Sequence, residues 1–266
     1  MGADLTYRAA IAAGRVALRA LDLTVRSSGA ERLPSSGPVV LASNHVSFPD
    51  FVFVGRALLG RRRLVRFMCR ADIWDSPAGP ALDAMRHVPV DRETPAAAYL
   101  TARRLLGAGE VVCVFPEAGI SAAYVVRALM PGAVALARET GAPLVPVTVW
   151  GGQRLWPQKR ALDAPFPKPV LTRGRTVDVR IGEPMTVAPD ADLATATRAL
   201  GARLHAGLEQ LQRLPEHQPR PGEWAPWHPA HLGGDAVERA ASFELDRMPR
   251  SAIDPTWGPG LANAAL

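Results

Sequence analysis

The chain has 266 residues, 48% of them apolar and 21% charged. That balance supports one large or two small folded units and excludes a disordered or collagen-like chain. Lysine and arginine number 31 against 25 acidic residues, a formal charge of +6, so the surface attracts phosphates, anionic lipid or nucleic acid.

Leu5 to Val25 is apolar and alanine-rich, but Arg8, Arg15 and Arg19 interrupt it, so it reads as neither a secretory leader nor a bilayer-spanning helix, which needs roughly 18 to 20 apolar residues. On a helix at about 100° per residue, Arg8, Arg15, Arg19 and Arg26 fall within about 20° of one line, and Leu5, Ile11, Val16, Leu21 and Leu23 lie elsewhere on the surface. Two readings of this basic amphipathic helix, assigned to residues 1–33, stay open. It lies in the headgroup layer of an anionic membrane, or it packs on the domain with its arginines in solvent.

Turn residues Ser35 to Pro38 precede a buried strand, Val39 to Ala42, and a helix is expected from Pro49 to Leu59, with proline at its first turn. Arg61-Arg62-Arg63 leads into a strand from Leu64 to Cys69. The short apolar run Val88 to Val90 is followed by a helix over Pro95 to Leu106. Strand Glu110 to Phe115, helix Pro131 to Thr140, strands Leu144 to Trp150 and Thr176 to Ile181, and a closing helix over Asp190 to Leu214 complete the pattern. Strands alternating with helices predict an α/β domain over residues 34–214, its central sheet largely parallel or mixed, with ligands at the carboxyl ends of the strands. The two cysteines, Cys69 and Cys113, sit in strand-like runs and suggest neither a disulfide framework nor a zinc cluster, which fits a reducing compartment. Residues 215–266 are rich in proline, glycine and tryptophan and read as a tail that wraps the domain as irregular chain or is partly disordered.

The chemistry gathers in Ser43-Asn44-His45-Val46-Ser47-Phe48-Pro49-Asp50. A histidine after a strand and an aspartate in the first turn of the next helix make a base and its orienter: the carboxylate takes one imidazole N–H and leaves the other nitrogen free to accept a proton. An acceptor's own hydroxyl can then be the nucleophile; Ser47 lacks a nucleophile-elbow setting. The alternative is a helix-start aspartate beside a loop histidine. Glu117, in Phe115-Pro116-Glu117-Ala118-Gly119-Ile120-Ser121, is a carboxylate at the mouth of another strand, suited to a substrate hydroxyl or to solvent. Arg92, ending Val88-Pro89-Val90-Asp91-Arg92, has the fork geometry for phosphate, or pairs with Asp91 or Glu93.

Taken in order, Asn44-His45-x₄-Asp50, Val90-Asp91-Arg92, Phe115-Pro116-Glu117 and Val145-Pro146-Val147 resemble the four blocks of the glycerophospholipid acyltransferases, whose best-known members act on 1-acylglycerol-3-phosphate. The resemblance spans Pro34 to Glu183. It implies His45 as general base with Asp50 orienting it, and substrate contacts from Asn44, Arg70, Arg92, Glu117, Gly119 and Ser121, with Arg70 and Asp72 at the basic and acidic positions between the first two blocks. It implies acyl-CoA or acyl-carrier protein as donor, a lysophospholipid as acceptor, no metal or further cofactor, no nucleic acid, and a place on the cytoplasmic face of an anionic membrane. One departure stands out. The family usually continues Phe-Pro-Glu with Gly-Thr-Arg-Ser, and the position of that arginine is Ile120 here, so the acceptor's phosphate needs Arg92, Arg70 or Arg127, or the acceptor carries another headgroup. Rival readings are an acyltransferase for another lipid or glycolipid alcohol, a hydrolase activating water with the same pair, and a non-catalytic basic module for membrane or nucleic acid.

Overall fold

A computed structural model describes residues 2–91, 93–246 and 248–261. In chain order the elements are α1 (Gly2–Ala20), β1 (Thr24–Ser28), β2 (Val39–Ser43), α2 (Asp50–Leu58), β3 (Val65–Arg70), α3 (Gly79–Ala84), β4 (Val88–Val90), α4 (Ala96–Gly107), β5 (Val111–Val114), α5 (Gly132–Thr140), β6 (Leu144–Trp150), β7 (Thr176–Ile181), α6 (Leu193–Gln212) and α7 (Arg239–Asp246). The strands form one sheet in the order β1-β7-β6-β2-β5-β3-β4. Every neighbouring pair is parallel except β6 with β7, so the sheet is mixed.

Central strands buried on both faces need apolar residues at every position, which is why β2 and β6 read as unbroken runs. Along β2, Val39 and Leu41 face α2, packing with Phe53, Val54 and Leu58. Val40 and Ala42 face the other layer, with Leu106 of α4, Leu136 of α5 and Leu200 and Leu204 of α6. Asp192 caps α6 by accepting the Thr195 N–H at 2.8 Å.

The N-terminal segment differs from expectation. The helix stops at Ala20, and Thr24–Ser28 pairs with β7 as an edge strand, so Arg26 is not on the helical stripe. β-branched Thr24 and Val25 suit a strand, and Arg26 forks onto Asp178 with two contacts of 2.7 Å. Helix α1 buries Tyr7, whose hydroxyl donates to the Val65 carbonyl at 2.8 Å, and leaves Arg8, Arg15, Arg19, Leu5 and Val16 exposed.

The tail wraps the domain rather than hanging free. Trp257 is buried in the α6 layer and donates from Nε1 to the Val126 carbonyl at 2.9 Å. Ile253 exchanges two backbone hydrogen bonds with Leu129, and the tail forms α7. Gly201 of α6 makes room for Trp257, since a Cβ there would overlap the indole ring.

Candidate active site

Because β2, β3, β4, β5 and β6 run the same way, the loops after them meet at one edge of the sheet. The loop after β2 turns tightly into α2 and places the His45 Nδ1 2.8 Å from Asp50 Oδ2. Asp50 is fully buried, and the same oxygen accepts the backbone N–H groups of Val46 at 2.7 Å and Ser47 at 2.9 Å. Its other oxygen takes the Ser47 hydroxyl. With two N–H donors already on Oδ2, the third partner, Nδ1, is placed to donate as well, which in the neutral imidazole leaves the lone pair on Nε2. The His45 side chain is 21% exposed, with Phe115 against the ring at a centroid distance of 4.5 Å. The geometry is that of a solvent-reachable base with a buried orienter. Ser47 is buried and its hydroxyl is taken up by Asp50, so it does not serve as a nucleophile. Gly152, after β6, closes this turn from above: a Cβ there would overlap Ser47 Oγ and crowd Asp50 Oδ1.

Several expected substrate contacts are instead structural. Asn44 is buried, and its amide bridges to β6, donating to the Val149 carbonyl at 3.1 Å and accepting the Val149 N–H at 2.7 Å. It extends the ladder where β2 ends, with both amide atoms engaged on Val149. Glu117 is 1% exposed and points inward: Oε1 accepts the His45 N–H at 2.7 Å and Oε2 the Arg127 N–H at 3.0 Å. It clamps the backbone of His45, and both its oxygens are engaged within the protein. Burial pushes its carboxyl up to about 8, against the pull of those two N–H groups and the Arg127 guanidinium. Ser121 donates its N–H to the His45 carbonyl at 2.9 Å and its hydroxyl to the Val125 carbonyl at 2.7 Å, so it too serves the loop. Gly119 has no side chain to offer and leaves space for the Arg127 guanidinium, which a Cβ would meet at 3.0 Å.

Of the cations weighed for a phosphate, Arg127 is committed elsewhere. Its Nε donates to the Glu117 carbonyl at 3.1 Å and its guanidinium pairs with Asp246 at 3.1 Å, both side chains nearly buried. Arg70 ends β3 at the site's edge of the sheet, exposed, with its Nε donating to Asp72 at 2.9 Å. Arg92 lies outside the described residues. The N–H groups of the loop after β2 are occupied as well: His45 on Glu117, Val46 and Ser47 on Asp50, and Phe48 on the Trp156 carbonyl. Sequence reasoning missed Asp246, which sits in the tail with no motif around it, and the inward role of Glu117, since a loop carboxylate reads the same whichever way it points.

Residues 24–150 match the acyltransferase family model. The chain carries an acyltransferase-family domain. The chain is 34% identical over 134 residues to a chloroplastic 1-acyl-sn-glycerol-3-phosphate acyltransferase of Brassica napus and 33% identical over 138 residues to one of Arabidopsis thaliana. The two matches take in 48% and 50% of this chain but 38% of each relative, so the chain spans well under half the length of those proteins. The fold is that of the crystal structure of the 1-acyl-sn-glycerophosphate acyltransferase PlsC from Thermotoga maritima, with a TM-score of 0.62, 21% identity, and coverage of 76% of this chain and 77% of that one. The acyltransferase match begins at β1, the strand that sequence reasoning had placed in a helix, and ends with β6.

Proposed function

We propose that the protein moves a fatty acyl group from a thioester, acyl-CoA or acyl-carrier protein, to a hydroxyl of a lysophospholipid, with 1-acylglycerol-3-phosphate as acceptor. The observation that carries this reading is the buried Asp50 oriented on Nδ1 of a half-buried His45 whose Nε2 is free. In the reaction Nε2 removes the acceptor hydroxyl's proton as its oxygen attacks the thioester carbonyl, and Asp50 stabilises the imidazolium. Collapse of the tetrahedral intermediate breaks the C–S bond and releases a thiolate, which with a thiol pKa near 8.5 leaves with little acid help. The acceptor class is that of the two plant 1-acyl-sn-glycerol-3-phosphate acyltransferases to which the chain is similar.

The protein acts at an anionic membrane surface on its cytoplasmic side. No helix among the described residues is long and apolar enough to cross a membrane. Supporting a surface role, Arg15, Arg19 and Arg56 line a cavity of about 330 Å³ floored by Leu18, Leu23 and Val25, a fit for a phosphate on an apolar body. A basic nucleic-acid module is disfavoured, because Arg61 and Arg63 donate to the backbone carbonyls of Leu33, Pro34 and Gly37. A second acceptor, a lipid or glycolipid alcohol without a phosphomonoester, is favoured by Ile120 together with the commitment of Arg127 to Glu117 and Asp246.

Thiol release from acyl-CoA and from acyl-carrier protein, measured over a panel of lysophospholipids and glycolipid alcohols, tests the reading. Turnover with lysophosphatidate and its loss in His45→Ala, by on the order of 10² to 10⁴, is expected. Near-wild-type turnover in that variant removes the mechanism, and turnover with the glycolipids alone moves the acceptor to the second reading.

A further inference from the structure

We infer that Asp246, on the C-terminal helix and far from the matched domain in sequence, is a positioning residue that holds the His45 base in place through Arg127 and Glu117. The inference rests on reading His45 as the base. A continuous chain of contacts runs from the tail to that residue. Asp246 Oδ1 lies 3.1 Å from the Arg127 guanidinium and accepts the Ala122 N–H at 3.1 Å. Arg127 donates its own N–H to Glu117 Oε2 at 3.0 Å, and Glu117 Oε1 accepts the His45 N–H at 2.7 Å. The His45 carbonyl is held from the same loop by the Ser121 N–H. The peptide on each side of the base is therefore fixed by the segment between β5 and α5.

That segment, residues 115–131, has no helix or strand of its own, and Ala118 and Tyr124 sit at φ of 53° and 56°, a backbone region that non-glycine residues enter at a cost. Such a loop keeps one conformation only if the surroundings impose it. The tail and α6 do so. Besides Asp246, Trp257 binds the Val126 carbonyl, Ile253 pairs with Leu129, and Gln212 of α6 donates to the Tyr124 carbonyl at 2.8 Å. Asp246 is the one of these that carries charge. The nearly buried Arg127 guanidinium pairs with Asp246 and donates from Nε to the Glu117 backbone carbonyl, so removing the Asp246 charge leaves a buried cation that rearranges the loop carrying Glu117. A displacement of the His45 Nε2 by a fraction of an ångström lowers the rate of proton removal without changing how the substrates bind, because no group in the chain of contacts is offered to a ligand.

The test is Asp246→Asn, with Glu117→Gln, the double variant and Asp246→Glu, measured for kcat, KM and Tm in the full chain. Expected for Asp246→Asn is a kcat lower by about tenfold, with KM for donor and acceptor within about twofold. In the Glu117→Gln background the same change adds no further loss, since the connection is already cut. Asp246→Glu, which keeps the charge, recovers part of the rate. Wild-type kcat in Asp246→Asn, or losses that multiply in the double variant, overturn the inference. If Asp246→Asn does not fold, the comparison passes to Asp246→Glu, whose loss must likewise vanish in the Glu117→Gln background. His45→Ala is run alongside: activity there removes the base itself, an outcome distinct from independence of Asp246.

Discussion

Replacing Asp50 by asparagine separates charge from shape at the candidate site. Oδ2 receives three donors, from His45 Nδ1, Val46 N and Ser47 N, whereas Oδ1 faces only the Ser47 hydroxyl. An asparagine therefore places its carbonyl oxygen at the Oδ2 position and its amide at Oδ1, where the Ser47 hydroxyl turns to accept. The loop and the imidazole tautomer survive. Three charge-assisted hydrogen bonds become neutral ones at a cost of about 1 kcal/mol each, and relief from burying a full charge offsets a similar amount, so stability changes by no more than about 2 kcal/mol. The rate behaves differently. When His45 becomes an imidazolium, the missing negative charge a few ångströms away forfeits about 4 kcal/mol at an effective dielectric constant of about 20, or on the order of 10³ in kcat. Thiol-release kinetics with a parallel thermal melt measure both. A kcat within tenfold of the wild type would show that Asp50 does not support the charge, and a collapse of the melt would show that the hydroxyl cannot turn.

Gly152→Ala pushes a methyl group into Ser47 Oγ and the Phe53 ring; expected are a destabilisation of about 1 to 3 kcal/mol and a fall in kcat, read by melt and assay, and neither change would mean the turn is looser than described. Gly201→Ala expels the Trp257 indole from α6, to be seen as a red shift in tryptophan emission and a lower Tm. Burial, helped by Arg66, lowers His87 to about 4, and burial with the neighbouring His217 and His231 does the same for His228. Both folded values lie below the usual 6.5, so the stability they contribute is complete above pH 6.5 and is lost as pH falls from there toward 4; denaturant titrations across that window should show the decline, and His87→Gln should flatten it. Arg15→Ala with Arg19→Ala and Arg56→Ala should weaken flotation with vesicles containing phosphatidate while leaving turnover of a short-chain soluble acceptor intact. Point variants suit this test better than truncation to Ser27, which would cut into β1.

The sheet was legible because its strands are buried on both faces. Such strands are short, β-branched and bounded by turns, and Val39–Ser43, Val111–Val114 and Leu144–Trp150 stand where the apolar runs place them. Strand β1 was not legible. An edge strand buries little, so Thr24-Val25-Arg26 carries no apolar signature, and a helical arginine spacing extends across it by coincidence. His45 and Asp50 were legible as a pair because the separation is local and one tight turn joins them. Asn44, Glu117 and Ser121 were legible as residues of the site but not in their orientation, which depends on hydrogen-bond partners 105, 72 and 4 positions distant.

Local spacing and apolar pattern, both properties of a few consecutive residues, were enough to set the α/β class, the strands of the core and the contact between His45 and Asp50. Which carboxylate turns inward, which arginine is left for a ligand and what steadies the long loop beside the base were decided by chain segments far apart in sequence. A buried carboxylate takes whatever N–H groups the fold delivers to it, and for Glu117 those come from His45 and Arg127, the latter in turn held by Asp246 more than a hundred residues on.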